Sequence, residues 1–231
     1  MVNSHLLLGL FYFFFVVIAI LSLIFWGWVW GLVFVTLPFF VIIKSMPYAQ
    51  KLVLRLKTDG QEGETYKASI KDYTKAIELD ANNAEAYCER GVSKAYSEDR
   101  IGAIQDYTKA IELNDKCVEA YYGRGVSKGH LGDFSGAIQD LTKAIELNPE
   151  DEMAYAFRGM GRLSLGEYNN AMQDFNKAIE INPENAQCYY HRGTCKLNTG
   201  DMFGALVDLR KSVEFGHSEA IELLEKLSQQ P

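Results

Sequence analysis

Residues 118–151, VEAYYGRGVSKGHLGDFSGAIQDLTKAIELNPED, decide the fold of this 231-residue chain. Their apolar side chains recur at helical spacing in two segments of roughly 13 residues each. Gly132 and Asp133 lie between the segments and supply a turn. The stretch therefore predicts a hairpin of two helices.

The same pattern recurs every 34 residues without a gap, in blocks 84–117, 118–151, 152–185 and 186–219. Each block has Tyr at position four, Arg-Gly at positions seven and eight, and Ala at position twenty. Gly and Ala lack bulk, so they let two helices approach closely. Because one hairpin cannot bury its apolar face alone, the blocks are expected to stack into a right-handed α-solenoid with a concave face.

This pattern closely resembles the tetratricopeptide repeat (TPR), a helix-turn-helix unit with a 34-residue period. The resemblance implies an all-α protein, a TPR-type α-solenoid whose role is to bind proteins. Residues 50–83 are interpreted as a degenerate unit, because their second half fits the pattern while their first half lacks the Gly and the aromatic residue. Residues 218–230 continue as an amphipathic helix, which would serve as the polar cap that such an array needs.

An apolar segment without any charged side chain, residues 6–43, predicts a membrane anchor within residues 1–46. As one helix it would measure about 57 Å, whereas the hydrocarbon core is only about 30 Å thick. We therefore predict a transmembrane helical hairpin with spans at 6–25 and 28–43, which turns at a Trp-Gly cluster. The alternative is a single span followed by an interfacial piece that contains Pro38.

The basic residues that follow the apolar segment predict its orientation. Residues 44–60 carry four basic side chains and one acidic side chain. Positive flanks stay on the cytoplasmic side, so the C-terminal TPR domain is expected in the cytoplasm. The regular repeats suggest the bacterial inner membrane, with an organelle membrane as the alternative.

Charge and cysteine usage narrow the class of partner. Residues 61–231 carry 19 basic and 29 acidic side chains, whereas a nucleic-acid binder needs positive charge, so no nucleic acid is expected. The acidic excess fits a protein-binding body or serves only solubility.

The cysteine pattern gives no sign of a metal site. No Cys-x-x-Cys pair is present and no His lies at ligand spacing, so no metal is expected near the four cysteines Cys88, Cys117, Cys188 and Cys195. No enzyme motif is present, so we expect neither catalytic activity nor a bound cofactor.

Two charged positions recur through the blocks. Position seven is Arg, where the tetratricopeptide repeat usually has Leu, and position twenty-three is Asp. Because an unpaired Arg between packed helices carries a heavy desolvation cost, we predict that each Arg pairs with an Asp. The alternative is a basic stripe for an acidic ligand. The predicted ion-pair ladder contains Arg90, Arg124, Arg158, Arg192, Asp72, Asp106, Asp140, Asp174 and Asp208.

In this family the first helix of each unit lines the concave groove. Carried over by position, the resemblance implies the groove residues Cys88, Val92, Tyr96, Tyr122, Val126, His130, Phe157, Met160, Tyr190, His191 and Thr194. Positions five, six and nine have no Lys or Asn, which family members use to hold the C-terminal carboxylates of chaperones. The groove is therefore expected to suit a peptide or helix with apolar anchors. Alternatively, Tyr122, Met160 and Tyr190 pack only on neighbouring units.

Together these features predict a membrane-anchored scaffold whose partners are a protein or peptide and the lipid bilayer. It would aid the assembly or localisation of a membrane complex, because tethering concentrates the groove near membrane partners. The alternative is a structural membrane protein whose solenoids self-associate.

Overall fold

The structure is a computed structural model and describes residues 65–229. Across this range it contains ten helices and no strand. The helices are α1 (65–79), α2 (Ala84–Tyr96), α3 (Arg100–Leu113), α4 (Val118–His130), α5 (Phe134–Leu147), α6 (Glu152–Ser164), α7 (Tyr168–Ile181), α8 (Ala186–Asn198), α9 (Met202–Glu214) and α10 (Ser218–Ser228). The prediction of an all-helical repeat array is confirmed.

Each regular block forms one pair of packed helices. The first helices, α2, α4, α6 and α8, also contact one another in succession. We call them the inner helices, and we call their partners α3, α5, α7 and α9 the outer helices. Each outer helix packs on the next inner helix, and α9 packs on α10. This arrangement is a solenoid whose concave side is formed by the inner helices.

Helix starts and turns follow from residues that recur in the sequence. Asp99, Asp133 and Asp201 cap outer helices, because each side chain accepts a hydrogen bond from a backbone N–H three residues later. The turn before Asp133 needs a residue in the left-handed backbone conformation, and Gly132 adopts it with a φ of 85°. Glu98 occupies this position in the first regular block with a φ of 66°, a conformation that costs a non-glycine residue free energy.

The core of each pair depends on small residues opposite large ones. A Cβ added to Gly159 would lie 2.7 Å from Cε1 of Phe175, and one added to Gly125 would lie 2.9 Å from Cγ of Leu141. Ala171, which lies in the same core cluster as Phe175, is completely buried. Glycine at position eight therefore lets an inner helix rest directly on the large side chain at position twenty-four of its outer helix.

Several predictions fall on residues outside the described range. The anchor within residues 1–46, its spans at 6–25 and 28–43, and the first half of the degenerate unit all lie there. Within residues 65–229, no helix combines the length and apolar character needed to cross a membrane. The second half of the degenerate unit forms α1, and α10 falls inside the predicted cap at 218–230.

Candidate protein-binding groove

The inner helices α2, α4 and α6 line a groove of about 640 Å³ on the concave side. Most of its lining is aliphatic or aromatic. The lining includes Val92, Ala95, Tyr96, Tyr107, Val118, Tyr122, Val126, Met153 and Phe157. A smaller hollow of about 110 Å³ shares Val126, His130 and Phe157 with this groove and extends it to Met160. The two hollows form one apolar surface across three repeats.

Aromatic side chains give this surface its shape. The Tyr96 ring is stacked on Tyr66 of α1, with centroids 5.1 Å apart and planes 8° apart, yet the residue is 66% exposed. Tyr122 and Phe157 meet edge to face, with centroids 5.9 Å apart. Ring contacts of this kind hold large apolar side chains in place before a partner arrives, which lowers the entropy cost of binding.

The Tyr122 hydroxyl stays protonated at neutral pH. Burial, the neighbouring Asp151 carboxylate and Tyr96 raise its pKa to about 12. The group can therefore act as a neutral hydrogen-bond donor or acceptor at the edge of the apolar surface.

The groove brings together seven of the predicted binding residues. Six line the larger hollow and Met160 lines the smaller one. The six are Val92, Tyr96, Tyr122, Val126, His130 and Phe157. Cys88 is a correction, because the structure places it in the core at 4% exposure, in one cluster with Tyr107 and Cys117. Its thiol is too short to reach the groove surface, and burial together with Cys117 raises its pKa.

The remaining predicted residues lie in the last block and form a separate aromatic stack. His191 stacks on Phe175 with centroids 5.7 Å apart, and Tyr190 stacks on His217 with centroids 4.6 Å apart. Thr194 Oγ1 donates to the Tyr190 carbonyl at 3.0 Å. Tyr190 thus contacts the residue that precedes α10, and His191 packs α8 on α7. The three residues do not line either of the two hollows, so their place in the groove stays a prediction.

Two histidine nitrogens in this stack have no hydrogen-bond partner within the described residues. They are Nε2 of His191 and Nδ1 of His217, and both are buried. Burial and the nearby His217 lower the pKa of His191 to about 4. The folded protein therefore holds this imidazole in its neutral form at physiological pH.

Between the helices, four arginines meet four buried aspartates of the predicted ladder. Arg124 donates from Nε and Nη2 to the two Asp140 oxygens at 2.9 and 2.7 Å. The same bidentate contact recurs in the other regular blocks, in the pairs Arg90–Asp106, Arg158–Asp174 and Arg192–Asp208. Each guanidinium also lies 5.3 to 5.7 Å from the ring of the Tyr at position four. All four guanidiniums are engaged, which leaves no free basic stripe among them.

Two further sets of side chains belong to this network, and neither set was predicted from the sequence. A second cation contacts each aspartate at 2.7 or 2.8 Å, namely Lys94, Lys128, Arg162 and Lys196. The Nη1 group of each ladder arginine donates to a side-chain oxygen of the preceding unit, on Thr74, Thr108, Thr142 and Asn176. The signal was present in the sequence, because position eleven is Lys or Arg in every regular block.

Asp72 does not join the ladder. Its side chain is 76% exposed and meets Lys75 Nζ at 3.9 Å. The reason is that position seven of its unit is Leu56, so that unit has no arginine at the ladder position. Residues 65–229 also contain no group of three His, Cys, Asp or Glu side chains that could hold a metal ion.

Comparisons with known proteins agree with this geometry. The model described as Tetratricopeptide repeat matches residues 118–151, and one described as TPR repeat matches residues 62–95 and 162–200. Among solved structures, MamA is 27% identical with a TM-score of 0.63, over 67% of this chain and 91% of its own. No curated protein matches the sequence significantly.

Two further solved structures share the fold. YrrB, described as a TPR protein with an unusual peptide-binding site, is 25% identical with a TM-score of 0.63, over 71% of this chain and 84% of its own. The first TPR of Spaghetti (RPAP3), bound to an HSP90 peptide, is 23% identical with a TM-score of 0.51. It covers 52% of this chain and 96% of its own, and at this identity it supports the fold alone.

Proposed function

Because the matched blocks are tetratricopeptide repeats, we propose that this chain is a membrane-anchored scaffold that binds a segment of another protein in its concave groove. The groove holds apolar anchors of the partner, while the N-terminal segment tethers the array to a bilayer. Tethering raises the local concentration of the groove near membrane partners, so modest contacts suffice for binding. The scaffold thereby aids the assembly or localisation of a membrane complex.

The observation that carries this proposal is the continuous apolar surface across α2, α4 and α6. Isolated exposed apolar residues are ordinary, but a concave surface with several aromatic residues supports a binding role. Tyr, the residue type of Tyr96 and Tyr122, is enriched among the residues that contribute most to binding energy in protein interfaces. Aromatic residues in general, including Phe as at Phe157, are enriched in interfaces. The likeness to YrrB, whose description includes a peptide-binding site, supports the same proposal.

The kind of ligand follows from what the groove lacks. Positions five, six and nine carry no Lys or Asn, the residues with which carboxylate-binding members of the resembled family hold a terminal carboxylate. Apolar side chains of an internal peptide or of an amphipathic helix fit it better. The tether is supported by residues 6–43, which contain no charged side chain and are long enough for two spans.

Photo-crosslinking in intact membranes tests this function. A photoreactive phenylalanine analogue replaces Tyr122 in the groove or, as the control, Gln139 on the exposed side of α5. The Tyr122 position is expected to give a protein adduct that weakens in the Phe157→Ala background, while Gln139 gives none. Adducts only with lipid and with the chain itself would argue against the scaffold.

A second candidate function is self-association, and a patch on the last outer helix favours it. Phe203 is 80% exposed, and Val207, one turn later, is 49% exposed. The other regular blocks have Gln at the Val207 position, namely Gln105, Gln139 and Gln173. Exposed apolar pairs on a helix can form the contact between two copies.

Sedimentation velocity of the detergent-solubilised full chain distinguishes the two candidates. If the patch joins two copies, Phe203→Ser with Val207→Gln shifts the chain from a larger species to the monomer. If both forms sediment as monomers, self-association through this patch is excluded and the scaffold remains.

A further inference from the structure

Two carboxylates stand at one rim of the groove, where the inner helices begin. Glu119 is the second residue of α4, and Asp151 immediately precedes α6; both line the groove beside Tyr122. Asp151 accepts hydrogen bonds from the backbone N–H groups of Met153 and Ala154. Among residues 65–229, Glu119 Oε2 accepts one hydrogen bond, from the Cys117 thiol at 3.9 Å. Within residues 65–229, neither carboxylate has a Lys or Arg within 4.0 Å.

The cations of the neighbouring helices are used elsewhere. Arg124 and Lys128 on α4 both bind Asp140, and Arg158 and Arg162 on α6 both bind Asp174. The internal network therefore engages these four cations of α4 and α6, while Lys116, three residues before Glu119, is exposed and is not among the groove-lining residues. The Glu119 and Asp151 charges are left to face the groove.

Basic residues of the groove lie at the opposite rim. Arg100 begins α3 and His130 ends α4, and both line the groove. Glu119 and His130 are eleven residues apart on one helix, which is about 16 Å at 1.5 Å per residue. This distance is about twice the Debye length of roughly 8 Å at physiological ionic strength, so a positive charge at the His130 end of α4 does not cancel the Glu119 carboxylate at its start.

The negative charge of Asp151 acts on Tyr122, one of the aromatic residues that line the groove. Asp151 is one of the groups that raise the pKa of Tyr122. A cation held at this rim would lie near both a carboxylate and the Tyr122 ring, and carboxylates and aromatic rings both attract cations. An anion at the same place would meet the like charges of Glu119 and Asp151.

We propose that the groove selects a basic partner segment, in which Lys or Arg lies next to the apolar anchors and is recognised by Glu119 and Asp151. This inference rests on the proposed scaffold function and specifies its ligand. The acidic rim belongs to the first regular repeats, because the positions equivalent to Glu119 are Glu85, Met153 and Gln187. The cationic end of the ligand therefore lies toward the N-terminal half of the array.

Binding of two synthetic peptides to the full chain tests the proposal. Both peptides carry Leu and Phe at the same positions; one has Lys between them and the other has Glu. Fluorescence anisotropy is recorded with the chain in phosphatidylcholine nanodiscs, and empty nanodiscs provide the blank. The Lys peptide is expected to bind about tenfold more tightly at physiological ionic strength, and less selectively at high salt.

Matched variants assign the preference to the rim. Glu119→Gln with Asp151→Asn should reduce the preference to less than about threefold, and Asn preserves the helix cap that Asp151 provides. Glu112→Gln with Glu146→Gln makes the same charge change on exposed outer-helix residues and should leave the preference intact.

The possible results distinguish failure of the charge preference from failure of the proposed protein-binding function of the groove. If both peptides bind equally, or the Glu peptide binds better, while Tyr122→Ala weakens both, the charge preference is wrong and the groove function stands. If the preference survives in the rim variant, Glu119 and Asp151 are not its source. If neither peptide binds, the groove function and the preference both fail.

Discussion

Arg124 and Asp140 face each other between α4 and α5 in a bidentate ion pair, with hydrogen bonds of 2.9 and 2.7 Å. Lys128 contacts the same carboxylate at 2.7 Å, and Arg124 also donates to Thr108 of the preceding repeat at 3.2 Å. The side chains of Arg124 and Asp140 are 16% and 7% exposed. One ion pair thus joins both helices of a repeat to the outer helix before it.

Removing one partner of this pair should destabilise the array strongly. Arg124→Leu leaves Asp140 buried with a single cation, which is expected to cost about 3 kcal/mol of unfolding free energy. In a double-mutant cycle with Asp140→Leu, we expect a coupling of at least about 1 kcal/mol. Urea unfolding followed by circular dichroism measures each term.

The exposed pair Lys143–Glu146 is the control for this cycle. Its side chains are 45% and 58% exposed, so its coupling should stay below about 0.5 kcal/mol. Equal coupling energies for the two pairs would show that the Arg124–Asp140 contact does not stabilise the stack more than a surface ion pair does.

Two glycines within inner helices should respond oppositely to a methyl group. Gly159→Ala places a Cβ 2.7 Å from the buried Phe175 ring, so we expect a net loss of about 1 to 2 kcal/mol. Gly129→Ala meets its nearest neighbour at 3.7 Å, and helix propensity should stabilise it by about 0.5 to 1 kcal/mol. Thermal unfolding of both variants tests the close approach, which a stabilised Gly159→Ala would contradict.

Stability should depend on pH through His191. The pKa of this group falls from 6.5 to about 4 on folding, so below pH 6.5 the unfolded chain takes up a proton that the folded chain does not. Stability is therefore full above pH 6.5 and declines toward pH 4. We expect this group to account for roughly 2 to 3 kcal/mol of the loss.

His191→Phe isolates this contribution, because Phe157 occupies the same position in the preceding block. The variant should lose less stability than the parent chain over the same pH range, as measured by urea unfolding. Parallel pH profiles for the two proteins would mean that His191 titrates normally in the folded state.

The array could be predicted from the sequence because each repeat contains the residues that start its helices and form its turns. Asp133 and its equivalents cap the outer helices, and Gly132 and its equivalents provide the turns. The pairing of Arg124 with Asp140 followed from their recurrence in every regular block together with desolvation, because a buried guanidinium needs a carboxylate. Thr108 was missed because its contact crosses from one repeat to the next, and a position-by-position comparison does not display such contacts.

The groove was harder to predict than the fold. Family position alone assigned Cys88 and Tyr190 to it, yet neighbouring side chains decide which residues reach the surface. Cys88 is short and lies in the core, and Tyr190 stacks on His217, which immediately precedes α10. The carboxylates Glu119 and Asp151 became visible only once the helix ends that carry them were seen beside Tyr122.

The most direct test of the scaffold is the affinity of the full chain for the protein that crosslinks at Tyr122. Tyr122→Ala with Phe157→Ala should raise the dissociation constant by about thirtyfold, because buried aromatic anchors dominate interface energies. Phe203→Ala on the outer helix α9 is the matched aromatic control and should leave it unchanged. Unchanged affinity in the groove variant, or equal losses in both variants, would contradict the account.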